Sequence, residues 1–180
     1  MLHVTQHIRW ITVGLLLGGI QACTSVTVPA DIQVVQPFDV KAYAGEWYEV
    51  ARFDFDEEKH LREVTANYEL KDDGKIQVIN RGFDTVQQEW KEAVGKATFV
   101  DDTTAGALKV SFFGPFYSGY NVALLEGSYE YALVFGEDKD HMWILSRTPS
   151  IPEDIKVKFL EKARQTGYDL NRLIWTKHKP

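Results

Sequence analysis

From Trp47 to Arg147 the chain alternates apolar and polar side chains in short runs, each closed by turn residues. Val64, Ala66, Tyr68 and Leu70 are apolar, while Thr65, Asn67 and Glu69 between them are polar. A period of two is the mark of a strand with one face buried. Asp72-Asp73-Gly74-Lys75 then leads into Ile76-Gln77-Val78-Ile79, a hairpin signal. The pattern repeats in Ala93–Phe99, in Leu108, Val110 and Phe112, in Tyr120, Val122 and Leu124, in Tyr129–Phe135 and in Met142–Arg147. With Trp47–Phe53 at the start this makes about eight consecutive strands joined by short loops. Such a meander rids itself of edges by closing. The expected fold is all-β, an eight-stranded antiparallel up-and-down β-barrel.

One segment breaks the pattern. Ile155, Phe159 and Ala163 share a helical face, flanked by Val157 and Leu160, and Gly167 ends the run. Ser150-Ile151-Pro152-Glu153 reads as a capping box with proline in the first turn. The strand Tyr129–Phe135 is apolar on both faces apart from Glu130, so Tyr131, Leu133 and Phe135 need a cover. A C-terminal α-helix packed outside the barrel supplies it.

The N-terminus carries Arg9 and then an apolar run, Trp10–Ile20, too short to span a bilayer but suited to the core of a signal peptide. Cys23, the sole cysteine, follows in Ile20-Gln21-Ala22-Cys23, which resembles a bacterial lipobox. Residues 1–22 are therefore expected to be cleaved and Cys23 lipidated. Several acyl chains on one residue give a stable anchor. Thr24 stands where an Asp would signal inner-membrane retention, so the expected location is the outer membrane, with the barrel in the periplasm. Residues 23–37 read as a tether. One cysteine also excludes an intramolecular disulfide. Acidic and basic residues are interleaved around a net charge of −6, with no basic stripe, which excludes a nucleic-acid partner.

Gly45-Glu46-Trp47-Tyr48 on the first strand, a run of hairpins, Arg147 ending a late strand and a final helix together resemble the lipocalin family. Phe112-Phe113-Gly114-Pro115-Phe116-Tyr117-Ser118-Gly119-Tyr120-Asn121-Val122 and Trp143-Ile144-Leu145-Ser146-Arg147-Thr148-Pro149 are similar to the bacterial lipocalins related to apolipoprotein D. The resemblance covers residues 38–177. It implies that Arg147 lies across Trp47 at the closed end, with Gly45 beside them, as a structural plug. It also implies carriage of a small hydrophobic ligand without catalysis, and no cofactor or metal.

If Trp47 points inward, the period of two puts Glu49, Ala51 and Phe53 on the same side, and likewise Ala66, Tyr68, Val78, Asn80, Ala97, Val110, Phe112, Val122 and Trp143. Eight strands enclose either a packed core or one small ligand; the alanines favour a cavity. Its lining is almost wholly apolar, with Glu49, Tyr68, Asn80 and His141 as the polar exceptions and no Arg or Lys inside. Each buried methylene contributes about 0.8 kcal/mol, so a fatty acid or a phospholipid or lysophospholipid fits, with its head at the mouth. The loop Asp54–Glu63 borders that mouth, where Lys59 and Arg62 either meet a phosphate or are solvated. Three rivals stand beside the carrier reading. His141 is a candidate haem ligand, Glu49 or His141 a candidate acid or base for a lipocalin-fold isomerase, and a solid barrel would leave a purely structural lipoprotein. Gly-x-Ser-x-Gly and phosphate-cradling glycine loops are missing. Phe113, Phe116 and Tyr117 either form an exposed patch suited to a homodimer or fold back onto the rim.

Overall fold

The computed structural model describes residues 25–179 apart from Glu57. A short helix α1 (Val40–Tyr43) precedes eight antiparallel strands: β1 (Gly45–Phe53), β2 (Leu61–Leu70), β3 (Ile76–Asp84), β4 (Glu89–Phe99), β5 (Ala107–Phe113), β6 (Phe116–Glu126), β7 (Tyr131–Phe135) and β8 (Met142–Ser146). Helix α2 (Glu153–Gln165), one 3-10 turn (Leu170–Arg172) and a three-residue strand β9 (Leu173–Trp175) follow. Neighbours in sequence pair in order from β2 to β8, β8 pairs with β1, and β1 returns to β2. The ring is closed. The closing contact is short, from Gly45 opposite Tyr68 to Tyr48 opposite Thr65. Beyond it the outer half of β1 pairs with β9 instead, with Ala51 opposite Trp175 and Phe53 opposite Leu173. A run of three residues carries too little periodicity to be read from sequence.

Two apolar layers result. One fills the closed half of the barrel around Phe38, Tyr43, Trp47, Ile76, Ala97, Leu108, Val122 and Val134. The other lies between the barrel wall and α2, where Leu133 and Phe135 meet Phe159, Ala163 and Tyr168. The cover expected for Leu133 and Phe135 is thus in place. The expected capping box is not. Pro152 is itself the N-cap, no side chain caps the helix, and the Ser150 carbonyl accepts from the Ser146 and Thr148 hydroxyls. Glu153 and Asp154 in the first turn meet the positive end of the helix dipole instead. The C-terminus ends as glycine requires. Gly167 has φ +85°, its N–H donates to Arg164, and Tyr168 N–H reaches back to Ala163.

The segment read as a tether lies on the barrel for much of its length. Ile32 is buried in the α2 layer, Asp31 pairs with Lys139 at 2.6 Å, and Val35 N–H donates to the Val122 carbonyl. Val28, Ile32, Val34 and Val35 belong to no helix or strand, so only tertiary contact reveals that they dock. The expected signal segment and Cys23 lie outside the described residues.

Candidate functional site

The barrel encloses a cavity of about 670 Å³, within the range of small-molecule sites. It opens between the loops β1–β2, β3–β4, β5–β6 and β7–β8. Its floor is the layer around Trp47, and below that the structure plugs the closed end. The Arg147 guanidinium lies 3.9 Å from the centre of the Trp47 ring and donates to the carbonyls of Glu46, Ala42, Tyr43 and Ala44 at 2.7–3.0 Å. The Trp47 indole N–H donates to the Tyr43 carbonyl at 2.8 Å. Gly45 at φ +96° turns the chain beneath Arg147 Nη1, where a Cβ would lie at 3.4 Å.

Of the twelve residues expected to face inward, Glu49, Ala66, Tyr68, Val78, Asn80, Val110, Phe112 and Trp143 line this space. Ala97 and Val122 point inward but lie deeper, packed into the floor. Ala51 and Phe53 are on the other side of the wall. The register of β1 against β8 slips between Glu49 and Ala51, one residue longer on β1. A bulge reverses every side chain beyond it. Ala51 and Phe53 therefore pack in the α2 layer, and Arg52 takes the inward side. The expectation that no Arg or Lys lies inside fails at this same bulge.

Arg52, 2% exposed, donates to Glu49 Oε1 at 2.8 Å. Its Nε is 3.6 Å from Glu58 Oε2, and Nη2 donates to the Glu58 carbonyl at 2.6 Å. Two carboxyls thus share one guanidinium in a buried place. Burial, and then the neighbouring Glu58, push the Glu49 carboxyl well above the usual range against the pull of Arg52. Burial therefore works against the charged form of Glu49, while Arg52 favours it.

The floor carries a second polar group. Tyr120 Oη lies 2.6 Å from Tyr43 Oη and 2.8 Å from Tyr68 Oη. Burial raises the pKa of all three, so they stay hydroxyls. Three hydroxyls linked by two hydrogen bonds keep one proton to donate elsewhere. Asn80 Oδ1 is buried and has no partner in the protein. At the mouth His141 Nδ1 is 2.8 Å from Asp138 Oδ1, with its ring beside Phe55 and Trp143. Tyr120 was legible from sequence, because it shares the parity of Val122 on β6. Phe55 and Glu58 were not, because a loop has no period. Phe113 and Phe116 at the tip of β5–β6 are 79% and 78% exposed and do not fold back. Tyr117 is withdrawn from them, between Lys96 and Lys109. Among the described residues no three His, Cys, Asp or Glu side chains are grouped to hold a metal.

Comparison with known proteins decides the family. Residues 38–178 match the model of the lipocalin-like domain. The chain is a lipocalin. It is 51% identical to the outer membrane lipoprotein Blc of Citrobacter freundii over 156 residues, 87% of this chain and 88% of that one. Apolipoprotein D of Bos taurus is more distant, 36% identical over 67% of each chain. Insecticyanin of the hornworm Manduca sexta superposes with a TM-score of 0.69 at 22% identity, covering 85% of this chain and 87% of that one, which shows the fold alone. The resemblance read from Gly45, Trp47 and Arg147 is therefore a true kinship, and the barrel with its external helix is the lipocalin barrel.

Proposed function

We propose that this lipocalin is a carrier, not a catalyst, which holds the acyl chain of a fatty acid or lysophospholipid in its barrel while anchored through Cys23 to the outer membrane, with the barrel in the periplasm. The observation that carries the reading is an open cavity of about 670 Å³ whose wall is mostly apolar. At about 0.8 kcal/mol per methylene a long chain gains on the order of ten kcal/mol gross, of which immobilisation takes back a large share. The relatives' name, outer membrane lipoprotein, supports the anchor and the location. Glu49, Ala66, Tyr68, Val78, Asn80, Val110, Phe112 and Trp143 are the side chains a ligand would touch. The spare tyrosine proton and Asn80 Oδ1 offer one donor and one acceptor to a ligand's polar group. Glu49 and His141 are each tied to partners within the chain, which favours binding over acid–base chemistry.

The test is direct. Delipidated protein should bind a fluorescent fatty acid saturably at one per chain, and Ala66→Trp, which puts a bulky ring into the cavity, should weaken binding at least tenfold. Native mass spectrometry of protein taken from its own membrane should show a lipid adduct. No saturable binding and no adduct would leave a structural lipoprotein.

A further inference from the structure

The floor of the cavity is not uniformly oily, and the place of one proton there bears on what the barrel can hold. Tyr43, Tyr120 and Tyr68 join their hydroxyls in a row, with Tyr120 in the middle. Two hydrogen bonds use two of the three protons. Tyr68 and Tyr120 line the cavity, whereas Tyr43 is buried behind them and does not. Among the described residues the Tyr43 hydroxyl meets only that of Tyr120. A proton left over on Tyr43 would be buried without an acceptor, which costs free energy. Tyr43 therefore donates to Tyr120, and the spare proton belongs to Tyr120 or Tyr68, on a hydroxyl that borders the cavity.

Asn80 supplies the complement. It lies on β3 two residues from Val78, which stands opposite Tyr68. Asn80 and Tyr68 are thus diagonal neighbours on one face, one pleat apart, and both line the cavity. Asn80 Oδ1 is buried and accepts from nothing in the protein. A donor on the floor and an acceptor one step above it are set among Ala66, Val78, Val110, Phe112 and Trp143. A plain methylene chain drawn over these two groups takes their water and returns no hydrogen bond. A ligand hydroxyl, which both donates and accepts, satisfies them together.

The charges nearby call for a neutral group. Of the cations that border the cavity, Lys91 is paired with Glu89 and Arg81 stacks on Trp90. Arg52 is held by Glu49 at 2.8 Å. Burial foremost, with the charges of Glu58 and Glu49 adding to it, raises the pKa of Tyr68. A carboxylate at this depth would face an unsatisfied acceptor and negative neighbours, so it stays at the mouth. From Asp84 at the mouth to Val78 at the floor, β3 runs six residues. At about 3.3 Å each and a tilt of about 40°, the depth is about 15 Å. An extended chain of about twelve carbons covers it, advancing about 1.3 Å for each carbon–carbon bond of about 1.5 Å.

We infer that the barrel selects acyl chains bearing a hydroxyl about twelve carbons from the head, with Tyr68 or Tyr120 donating to its oxygen and Asn80 Oδ1 accepting its proton. This rests on the carrier reading and adds to it a class of ligand. Dodecanoate and 12-hydroxydodecanoate differ only in that group, and displacement of a fluorescent fatty acid from the full-length protein measures both. In wild type the hydroxy acid should bind at least as tightly as the plain one, although in a wholly apolar site the hydroxyl would weaken binding by about tenfold or more. Asn80→Leu replaces the acceptor by an apolar group of similar size. Tyr68→Phe together with Tyr120→Phe removes both hydroxyls at the cavity. In each of these proteins the plain acid should win by about tenfold or more.

Every comparison is between two ligands on one protein, so lost stability does not imitate the result. A wild type that prefers dodecanoate tenfold, or a preference left unchanged in either variant, overturns the inference and leaves the carrier reading standing. Displacement by neither acid overturns both.

Discussion

Glu49 and Arg147 show how much one side chain decides in a barrel without cross-links. A carboxyl whose pKa rises on folding stabilises the native state fully below its unfolded pKa and loses that contribution as the pH climbs through the folded value. Glu49 is raised, by burial first and Glu58 second, so stability should fall between the ordinary glutamate pKa of about 4.3 and the folded pKa, by at most about 1.4 kcal/mol per pH unit. Glu49→Gln keeps a neutral hydrogen-bonding group and removes the titration. In urea unfolding at several pH values, the difference between the Glu49→Gln protein and wild type should grow in favour of the variant as the pH rises from 5; parallel curves would mean that Glu49 is ionised. Arg147 acts through carbonyls. Replacing it by Met leaves the acceptors of Glu46, Ala42, Tyr43 and Ala44 without their donor. Each bond to a charged donor contributes about 1.5–3 kcal/mol, and partial resolvation of the exposed carbonyls brings the expected loss to about 3 kcal/mol, read from the urea midpoint.

Helix α2 and strand β1 were legible from sequence to different depths, for different physical reasons. The helix announces itself by a face: Phe159 and Ala163 are fully buried, whereas Val157 is exposed. Phe159→Ala should therefore cost about 3–5 kcal/mol, and Val157→Ala about 0.5 kcal/mol or less, in the same unfolding assay. Equal losses would show that α2 is not docked through that face. Its start was misread, because a Ser-x-x-Glu pattern states only what can cap, and Ser150 spends its carbonyl on the β8 end instead. Strand β1 was read correctly through Glu49 and wrongly after it. Alternation cannot locate a bulge when both sides of the wall are apolar, and Ala51 and Phe53 suit the α2 layer as well as they would suit the cavity. Only Arg52, a charge amid a buried strand, broke the pattern. Its position between two outward residues was the available sign that the parity had changed.

For the molecule as a whole, closure of the ring was legible from the strand pattern, whereas the inward alanines favoured a cavity without fixing its size or place. The number of strands and the short loops dictate a barrel, but a void depends on the summed volume of side chains from every strand, which no local pattern contains. Ala66 and Ala97 illustrate this: both are small and inward, yet Ala66 faces the cavity and Ala97 lies in the packed floor. An open cavity couples stability to occupancy. A ligand that binds only the folded state at a hundred times its dissociation constant adds about 2.7 kcal/mol, which for a domain of this size raises Tm by about 5–10 °C. Saturating fatty acid should shift the melting curve by that amount, and the shift should grow with the logarithm of ligand concentration. Ala66→Phe reverses the logic. A ring placed in the void gains apolar contact in the empty protein, so its ligand-free Tm should equal or exceed that of the wild type while the ligand-induced shift falls to about 2 °C or less. A wild-type shift that persists undiminished in this variant would place the bound lipid outside the barrel, on the wall or the rim, and the carrier function would have to be sought there.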